Sequence, residues 1–272
     1  MQTILVPVDF SKTSDNAANY AARLAKLFNA RLLLLHAYML PAPVSEVPYV
    51  VITAEDMQAD NEKLINNLSK KLTETHGVAV DTVVRIGIAS DEVKTILGEY
   101  KIDLVVMGMK GAGGFEKIIG STTTNVVRKI ITPVLIIPHD AQFRNISSIT
   151  YASNFRYETT SHLFEPMTEI ARKFNATIYV FHVKTVGENE ADLLTGKKTL
   201  ELVLGDHPHF YTDTQNSSIN EGINQYMKEN QRDLLVMVAH KHGFFDRIFS
   251  TDHTAAMAYE THIPMLVLQD KV

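Results

Sequence analysis

Residues Ile102–Thr124 read IDLVVMGMKGAGGFEKIIGSTTT and place a buried strand, a glycine loop and a helix start in one short segment. The apolar run DLVVMG is typical of a strand that is covered on both faces. STTTNVVRKI, which begins at Ser121, has the hydroxyl-rich start and the apolar spacing of a helix. A strand, a loop and a helix in this order predict a unit of an α/β protein with a parallel sheet.

The same alternation extends over the rest of the first half of the chain. Strands are predicted at TILVPV, ARLLLLHAY, VDTVVRIG and PVLIIP, and helices at SDNAANYAARLAKLF, AEDMQADNEKLINNLSKKLTETHG and ASDEVKTILGEY. Ser14 is predicted to cap the first helix, and Gly77 to close the long one. Strands that alternate with helices indicate a doubly wound parallel α/β sheet.

The second half of the chain repeats this pattern. RDLLVMVAHKHGFFDRIFSTDHT, residues 232–254, aligns with the quoted segment without a gap, and SSITYASNF, ARKFNATIYVFHV and IPMLVLQ match the start, second strand and end of the first half. A period of about 130–146 residues is the size of a domain, so we infer a tandem duplication. The boundary falls within His139–Asn145 and gives domains 1–140 and 146–272.

Composition excludes several classes of function. With 45% hydrophobic and 21% charged residues, the chain has the profile of a globular protein. A net charge of -5 gives no basic surface for nucleic acid, and no apolar run approaches the roughly 18 residues that cross a bilayer. The chain has no cysteine, and its N-terminal segment lacks the pattern of a secretory leader. We therefore expect a cytoplasmic protein with neither a nucleic-acid nor a membrane partner.

The glycine loop has the chemistry of an anion site. Gly108 and Gly111 follow a strand at the carboxyl edge of the sheet, where bare backbone N–H groups can approach a phosphate. Gly120 precedes a helix whose N-terminal amides favour an anion, and Ser121 and Thr123 add hydroxyls. Lys110 adds a positive charge. The alternative is that these glycines only form a tight loop and that Ser121 is an ordinary N-cap.

These segments together resemble the universal stress protein family. The resemblance is carried by PVDFS, LHAY and DLVVMGMKG, followed by GSTTTNVVRK and PVLIIP, and it covers nearly the whole chain as a tandem two-domain member. It implies two five-stranded parallel sheets with flanking helices, paired through their last strands with pseudo-twofold symmetry. In one branch of the family it implies bound ATP or AMP, and Mg²⁺ is a plausible companion of the phosphates.

The resemblance also implies a binding site in the first half. Asp9 lies where the family has an acidic residue beside the ribose or adenine, and it is alternatively a cap or turn residue. Eight residues, Ala112 to Ile119, separate Gly111 from Gly120, one fewer than in the family pattern. The predicted nucleotide-binding residues are Pro7, Val8, Asp9, Ala37, Met107, Gly108, Lys110, Gly111, Gly120, Ser121, Thr122 and Thr123.

The second half has lost this glycine motif. Val238 stands at the position of Gly108, Lys241 at Gly111, Phe244 at Gly114, Ser250 at Gly120 and Asn154 at Asp9. We therefore expect the second half not to bind ATP in the same manner. His36 is interpreted as a packed histidine at a strand end, because its counterpart His182 persists in the half without the motif.

Three hypotheses for function follow. The first is a non-enzymatic stress-response protein that binds an adenine nucleotide in its first half as a structural or regulatory ligand. The second is a nucleotide-independent interaction or dimerisation protein that self-associates through the last strands, Pro133–Pro138 and Pro264–Gln269. The third is a metal sensor that binds Zn²⁺ through His240, His242 and His253. No catalytic constellation is evident in the sequence, and the loop lacks the lysine of a Walker A motif.

Overall fold

Strands and helices alternate through the first half of the chain. The computed structural model describes residues 1–40, 53–109, 121–155, 161–185, 189–239 and 263–270. The elements of the first half are β1 (Thr3–Pro7), α1 (Lys12–Phe28), β2 (Arg31–Tyr38), α2 (Ala54–His76), β3 (Val80–Ile86), α3 (Ala89–Glu99), β4 (Leu104–Met109), α4 (Ser121–Lys129) and β5 (Val134–Pro138). Each strand and helix predicted for this half is confirmed.

The second half follows the same order as far as it is described. Its elements are β6 (Ser148–Ala152), α5 (Ser161–Phe174), β7 (Thr177–Lys184), α6 (Glu190–Leu204), β8 (His209–Gln215), α7 (Ile219–Asn230), β9 (Leu234–Ala239) and β10 (Met265–Gln269). None of the helices in the described ranges has the length and apolarity to cross a membrane.

All ten strands form one sheet in the order β3-β2-β1-β4-β5-β10-β9-β6-β7-β8. Pairing is parallel within each half, whereas β5 and β10 pair antiparallel, with Leu135 opposite Leu266. The predicted five-stranded halves and their pseudo-twofold pairing are therefore present, joined at this β5–β10 seam inside a single chain. On its other edge β5 pairs with β4, and β10 pairs with β9, so neither strand has a free edge.

The central strands contribute to a core on both faces of the sheet. Leu135 packs in the cluster covered by α1, α2, α5 and α6, whereas its neighbours Val134 and Ile136 pack in the cluster covered by α3, α4 and α7. This arrangement explains why the central strands are continuous apolar runs, whereas the outer strands β3 and β8 include polar residues.

Local details repeat between the halves. Asp103 Oδ2 accepts the N–H of Thr3 at 2.9 Å, and Asp233 Oδ2 accepts the N–H groups of Ser147 and Ser148, both at 2.9 Å. An aspartate before the fourth strand thus anchors the start of the first strand in both copies.

The start of α1 differs from the prediction that Ser14 caps it. The N-cap is Ser11, whose side-chain oxygen accepts the N–H of Ser14 at 3.2 Å, so the helix begins at Lys12. The hydroxyl of Ser14 donates back to the carbonyl of Ser11 at 3.1 Å. Gly77 closes α2 in the left-handed conformation, φ 67°, as predicted.

Removing side-chain volume at the seam should destabilise the whole sheet. Leu266 is completely buried, so Leu266→Ala should lower the free energy of unfolding by about 2–5 kcal/mol, measured by urea denaturation. The control is Leu202→Ala, because Leu202 is 86% exposed and its truncation should change stability by less than about 0.5 kcal/mol. Equal effects of the two substitutions would contradict the described seam.

Candidate functional site

The predicted site lies at the reversal of strand order in the first half. From β1 the chain proceeds outward to β2 and β3, and then returns to place β4 and β5 on the other side of β1. Open α/β sheets bind ligands at such a reversal, outside the carboxyl ends of the strands. Pro7 ends β1 and Gly108 is the next-to-last residue of β4, so both border this crevice.

Gly108 is required by packing. A Cβ atom at this position would lie 2.6 Å from Thr13 Cγ2 and 2.8 Å from the Thr13 carbonyl oxygen. The first turn of α1 therefore crosses directly over the end of β4 and leaves no room for a side chain. The sequence predicts Gly108 as a phosphate-loop glycine or as part of a tight loop, and it does not predict this contact with α1.

Thr123 connects the start of α4 to Gly108. Its hydroxyl donates a hydrogen bond to the Gly108 carbonyl oxygen at 3.1 Å, and the side chain is buried. Its proton is therefore engaged with the protein backbone. Ser121 and Thr122 are exposed at the helix start, and the first turn contains no acidic residue. The N-terminal amides of α4 and their partial positive charge are held beside the crevice.

The other end of α4 is fixed to α3. Lys129 Nζ donates to Ser90 Oγ at 3.0 Å and lies 2.6 Å from Asp91 Oδ1, in the first turn of α3. Because Thr123 and Lys129 hold α4 at both ends, its first turn has a defined position relative to β4.

Asp9 belongs to the turn between β1 and α1. Its Oδ1 accepts the N–H of Ser11 at 3.0 Å, and its own N–H lies 3.4 Å from Ser14 Oγ. Burial acts to raise the pKa of Asp9, but hydrogen bonds with Ser11 and Ser14 outweigh it and lower the pKa below its ordinary value. The side chain is exposed and ionised, so it serves the turn and faces solvent at the crevice.

His36 is packed at the end of β2, as interpreted from the sequence. Its Nδ1 lies 2.8 Å from the Val8 carbonyl oxygen, and its ring is 4.5 Å from that of Phe10, which has φ 59°. In the second half, His182 and Phe155 repeat this arrangement, with His182 Nδ1 2.8 Å from the Ser153 carbonyl oxygen. A left-handed phenylalanine is unusual, and here the strand-end histidine supports it in both copies.

The structure brings most of the predicted residues to this edge. Pro7, Asp9 and Ala37 end or follow β1 and β2, and Val8 is buried just behind Asp9. Met107 is also buried, and its side chain packs in the core beneath the crevice. The described residues of the predicted set are Pro7, Val8, Asp9, Ala37, Met107, Gly108, Ser121, Thr122 and Thr123, whereas Lys110, Gly111 and Gly120 lie outside the described ranges.

The equivalent crevice of the second half contains a small cavity of about 60 Å³. Its walls include Ser153 and Asn154 after β6, Val238 in β9 and Ile223 in α7.

The histidines of the proposed zinc site, His240, His242 and His253, lie outside the described residues. Within the described ranges, no group of three or more histidine, aspartate or glutamate side chains is arranged to hold a metal ion.

A sheet with an order reversal in each half defines a doubly wound α/β protein made of two copies of one unit. The model of the Universal stress protein family matches residues 1–138 and 157–269, and the chain belongs to this family.

Two relatives align with this chain over nearly the full length of both proteins. A universal stress protein of Mycolicibacterium smegmatis is 26% identical over an alignment that covers 98% of this chain and 97% of the relative. The crystal structure of a universal stress protein from Archaeoglobus fulgidus superposes with a TM-score of 0.74 at 18% identity, covering 98% of this chain and 96% of that chain. A universal stress protein solved in complex with cAMP matches half of this chain, with 27% identity, 50% and 96% coverage and a TM-score of 0.39.

The packing role of Gly108 can be tested with a matched pair of glycines. Gly108→Ala should lower the free energy of unfolding by about 1–3 kcal/mol, because the new methyl group displaces the first turn of α1. Gly98 lies inside α3 with open space around its Cβ position, so Gly98→Ala should stabilise the protein by about 0.5–1 kcal/mol. Thermal unfolding of both variants measures the contrast, and a neutral Gly108→Ala would disprove the close approach.

The turn role of Asp9 predicts a specific pH dependence. Its pKa is lowered in the folded chain, so the carboxylate's stabilisation is complete above the ordinary pKa of 3.8 and is lost as the pH falls through the lower folded value. The stability difference between wild type and Asp9→Asn should therefore shrink as the pH is taken from about 6 to about 3 in thermal melts. A difference that is constant over this range would show that the carboxylate charge does not stabilise the turn.

Proposed function

We propose that the first half binds an adenine nucleotide, ATP or AMP, in the crevice between the ends of β1 and β4. The observation that carries the proposal is the first turn of α4. It is exposed at Ser121 and Thr122, contains no acidic residue, and is anchored to Gly108 by the hydroxyl of Thr123. A fixed helix start beside the order reversal of a parallel sheet supplies preorganised amides for a phosphate.

The remaining residues have complementary roles in this proposal. Lys110, Gly111 and Gly120 continue the phosphate loop, and Mg²⁺ accompanies the phosphates. Asp9 accepts hydrogen bonds from the ribose or adenine through its exposed oxygen, while Pro7 and Ala37 border the base. Ser121 and Thr122 supply the hydroxyl donors to phosphate, because the Thr123 hydroxyl already donates to the Gly108 carbonyl oxygen.

We propose that the nucleotide is held as a regulatory ligand and is not turned over rapidly. An efficient general base has a pKa near the working pH. Asp9, the carboxylate that the proposal places at the ligand, has a lowered pKa and is therefore a weak base at neutral pH. Bound nucleotide would instead contact the loop between β4 and α4 and so change association with partners.

The second half is proposed to keep the fold without binding the nucleotide. Val238 places a side chain where Gly108 leaves bare backbone, and the cavity beside it measures about 60 Å³. Its contribution is the seam with the first half.

The alternative, a nucleotide-independent interaction protein, rests on the same seam. Because β5 and β10 already pair within the chain, association of two chains through these strands requires each chain to exchange a half with the other.

The two hypotheses are separated by denaturing freshly purified protein and identifying the released small molecules by mass spectrometry. The proposal predicts one equivalent of ATP or AMP per chain. Two equivalents would refute the assignment of the second half, and no nucleotide with no thermal shift in millimolar ATP would favour the alternative.

A single added charge tests the helix start itself. Thr122→Asp should weaken ATP binding at least about tenfold through repulsion of the phosphates, while the helix dipole keeps the fold as stable or slightly more so. Asn125→Asp is the control, because Asn125 is exposed on the same helix one turn farther from the crevice. Isothermal titration with ATP and with cAMP measures both variants. Equal losses in the two variants would place the phosphates away from the first turn of α4.

A further inference from the structure

A cleft of about 560 Å³ lies at the edge of the sheet where the two halves meet. Its walls combine α1, the connector between β5 and β6, the turn from α7 to β9 and the approach to β10. These parts meet because β5 and β6 are antiparallel, so the connector crosses the amino ends of β10 and β9. The volume is within the usual range of about 300–1,000 Å³ for small-molecule sites, which commonly lie between domains.

Tyr20 of α1 brings its hydroxyl to this cleft. The residue is 3% exposed, its ring packs edge-on against Phe143 at 4.8 Å, and among the described residues nothing hydrogen-bonds to its hydroxyl. Burial and the charge of Asp233 raise the pKa of Tyr20 well above its ordinary value. The phenol therefore stays protonated at every physiological pH and can donate one hydrogen bond.

Arg232 brings a positive charge to the cleft. Its guanidinium stacks on the Tyr179 ring at 3.4 Å, and its Nη2 donates to the Tyr226 hydroxyl at 3.2 Å, so its position is fixed. Its Nε–H is buried and has no hydrogen-bond partner in the part of the chain that the structure describes. The protein covers this N–H, so Arg232 contributes to the cleft that it lines through its positive charge.

The lining of the cleft includes two arginines and two aspartates. Arg144 and Arg232 both line it, and neither forms an ion pair with any residue that the structure describes. The acidic side chains are already engaged. Asp233 Oδ2 accepts four hydrogen bonds from the backbone and hydroxyl groups of Ser147 and Ser148, and Asp140 lies 3.7 Å from its neighbour His139.

Apolar side chains complete the walls, among them Ile146, Met227 and Ile263. We propose that this cleft binds a small organic carboxylate, whose oxygens accept from Tyr20, whose charge is balanced by the arginines and whose carbon skeleton packs on these apolar walls. A single negative charge suits the site better than a dianion, because Asp233 contributes a negative charge of its own. The site is separate from the proposed nucleotide crevice and does not depend on it.

The test uses the full chain and benzoate as the probe, titrated by ligand-observed NMR. Benzamide is the neutral control of the same shape, and inorganic phosphate tests for an anion site without an apolar wall. Saturable benzoate binding should appear without matching benzamide binding, and saturating ATP should not displace it. Tyr20→Phe should weaken benzoate about tenfold, since it removes one hydrogen bond to a charged acceptor and retains the ring that packs on Phe143.

Two further variants keep the test decisive. Tyr100→Phe removes a phenol outside the cleft and should leave benzoate affinity unchanged. Arg144 is exposed at the cleft, so Arg144→Ala should fold normally and weaken benzoate about threefold. The proposal is overturned if benzoate does not saturate the wild type, if benzamide or phosphate binds as tightly, or if Tyr20→Phe binds benzoate as well as Tyr100→Phe does.

Discussion

The antiparallel pairing of β5 with β10 is the contact on which the architecture depends. Hydrogen bonds between these two apolar strands turn two parallel five-stranded units into one sheet with two outer edges, β3 and β8. The reversal of direction also places the carboxyl edge of one half beside the amino edge of the other. The nucleotide crevice proposed for the first half and the cleft between the halves consequently open along the same edge of the sheet.

Packing explains which parts of the repeat can diverge. The strand-end histidines, His36 and His182, hold the same left-handed phenylalanine turn in both copies, so the turn is needed for the fold itself. Gly108 differs, because α1 approaches the end of β4 so closely that no side chain fits there. The equivalent position in the second half is Val238, whose side chain is buried. A glycine at the edge of a parallel sheet can thus indicate a close backbone contact as well as a binding site.

The sequence predicts the elements well because their causes are local. Continuous apolar runs specify buried strands, and Gly77 closes α2 as its position suggests. The predicted cap of α1, Ser14, is wrong by three residues. Ser11 and Ser14 have the same capping chemistry, and only the folded structure shows that the Ser11 side chain accepts the N–H of Ser14. Contacts between distant segments were beyond the sequence. The fit of Thr13 over Gly108 and the bond from Thr123 to Gly108 need the folded sheet, and the cleft of Tyr20 and Arg232 is assembled from segments more than 200 residues apart.

Helix α1 physically links the two sites proposed on this edge. Its first turn rests on Gly108, where Thr13 leaves no space for a Cβ atom. One turn farther along, the Asn16 side-chain amide donates to the carbonyl oxygens of Pro138 at 3.1 Å and Ala141 at 3.0 Å. These bonds fix the start of the connector between β5 and β6, which lines the cleft. Tyr20 follows one further turn along and reaches into the cleft itself. A rigid helix in contact with both sites can couple ligand binding at the two sites only if the helix has two positions. Because α1 fits tightly against Gly108, any such movement of α1 must also move the end of β4.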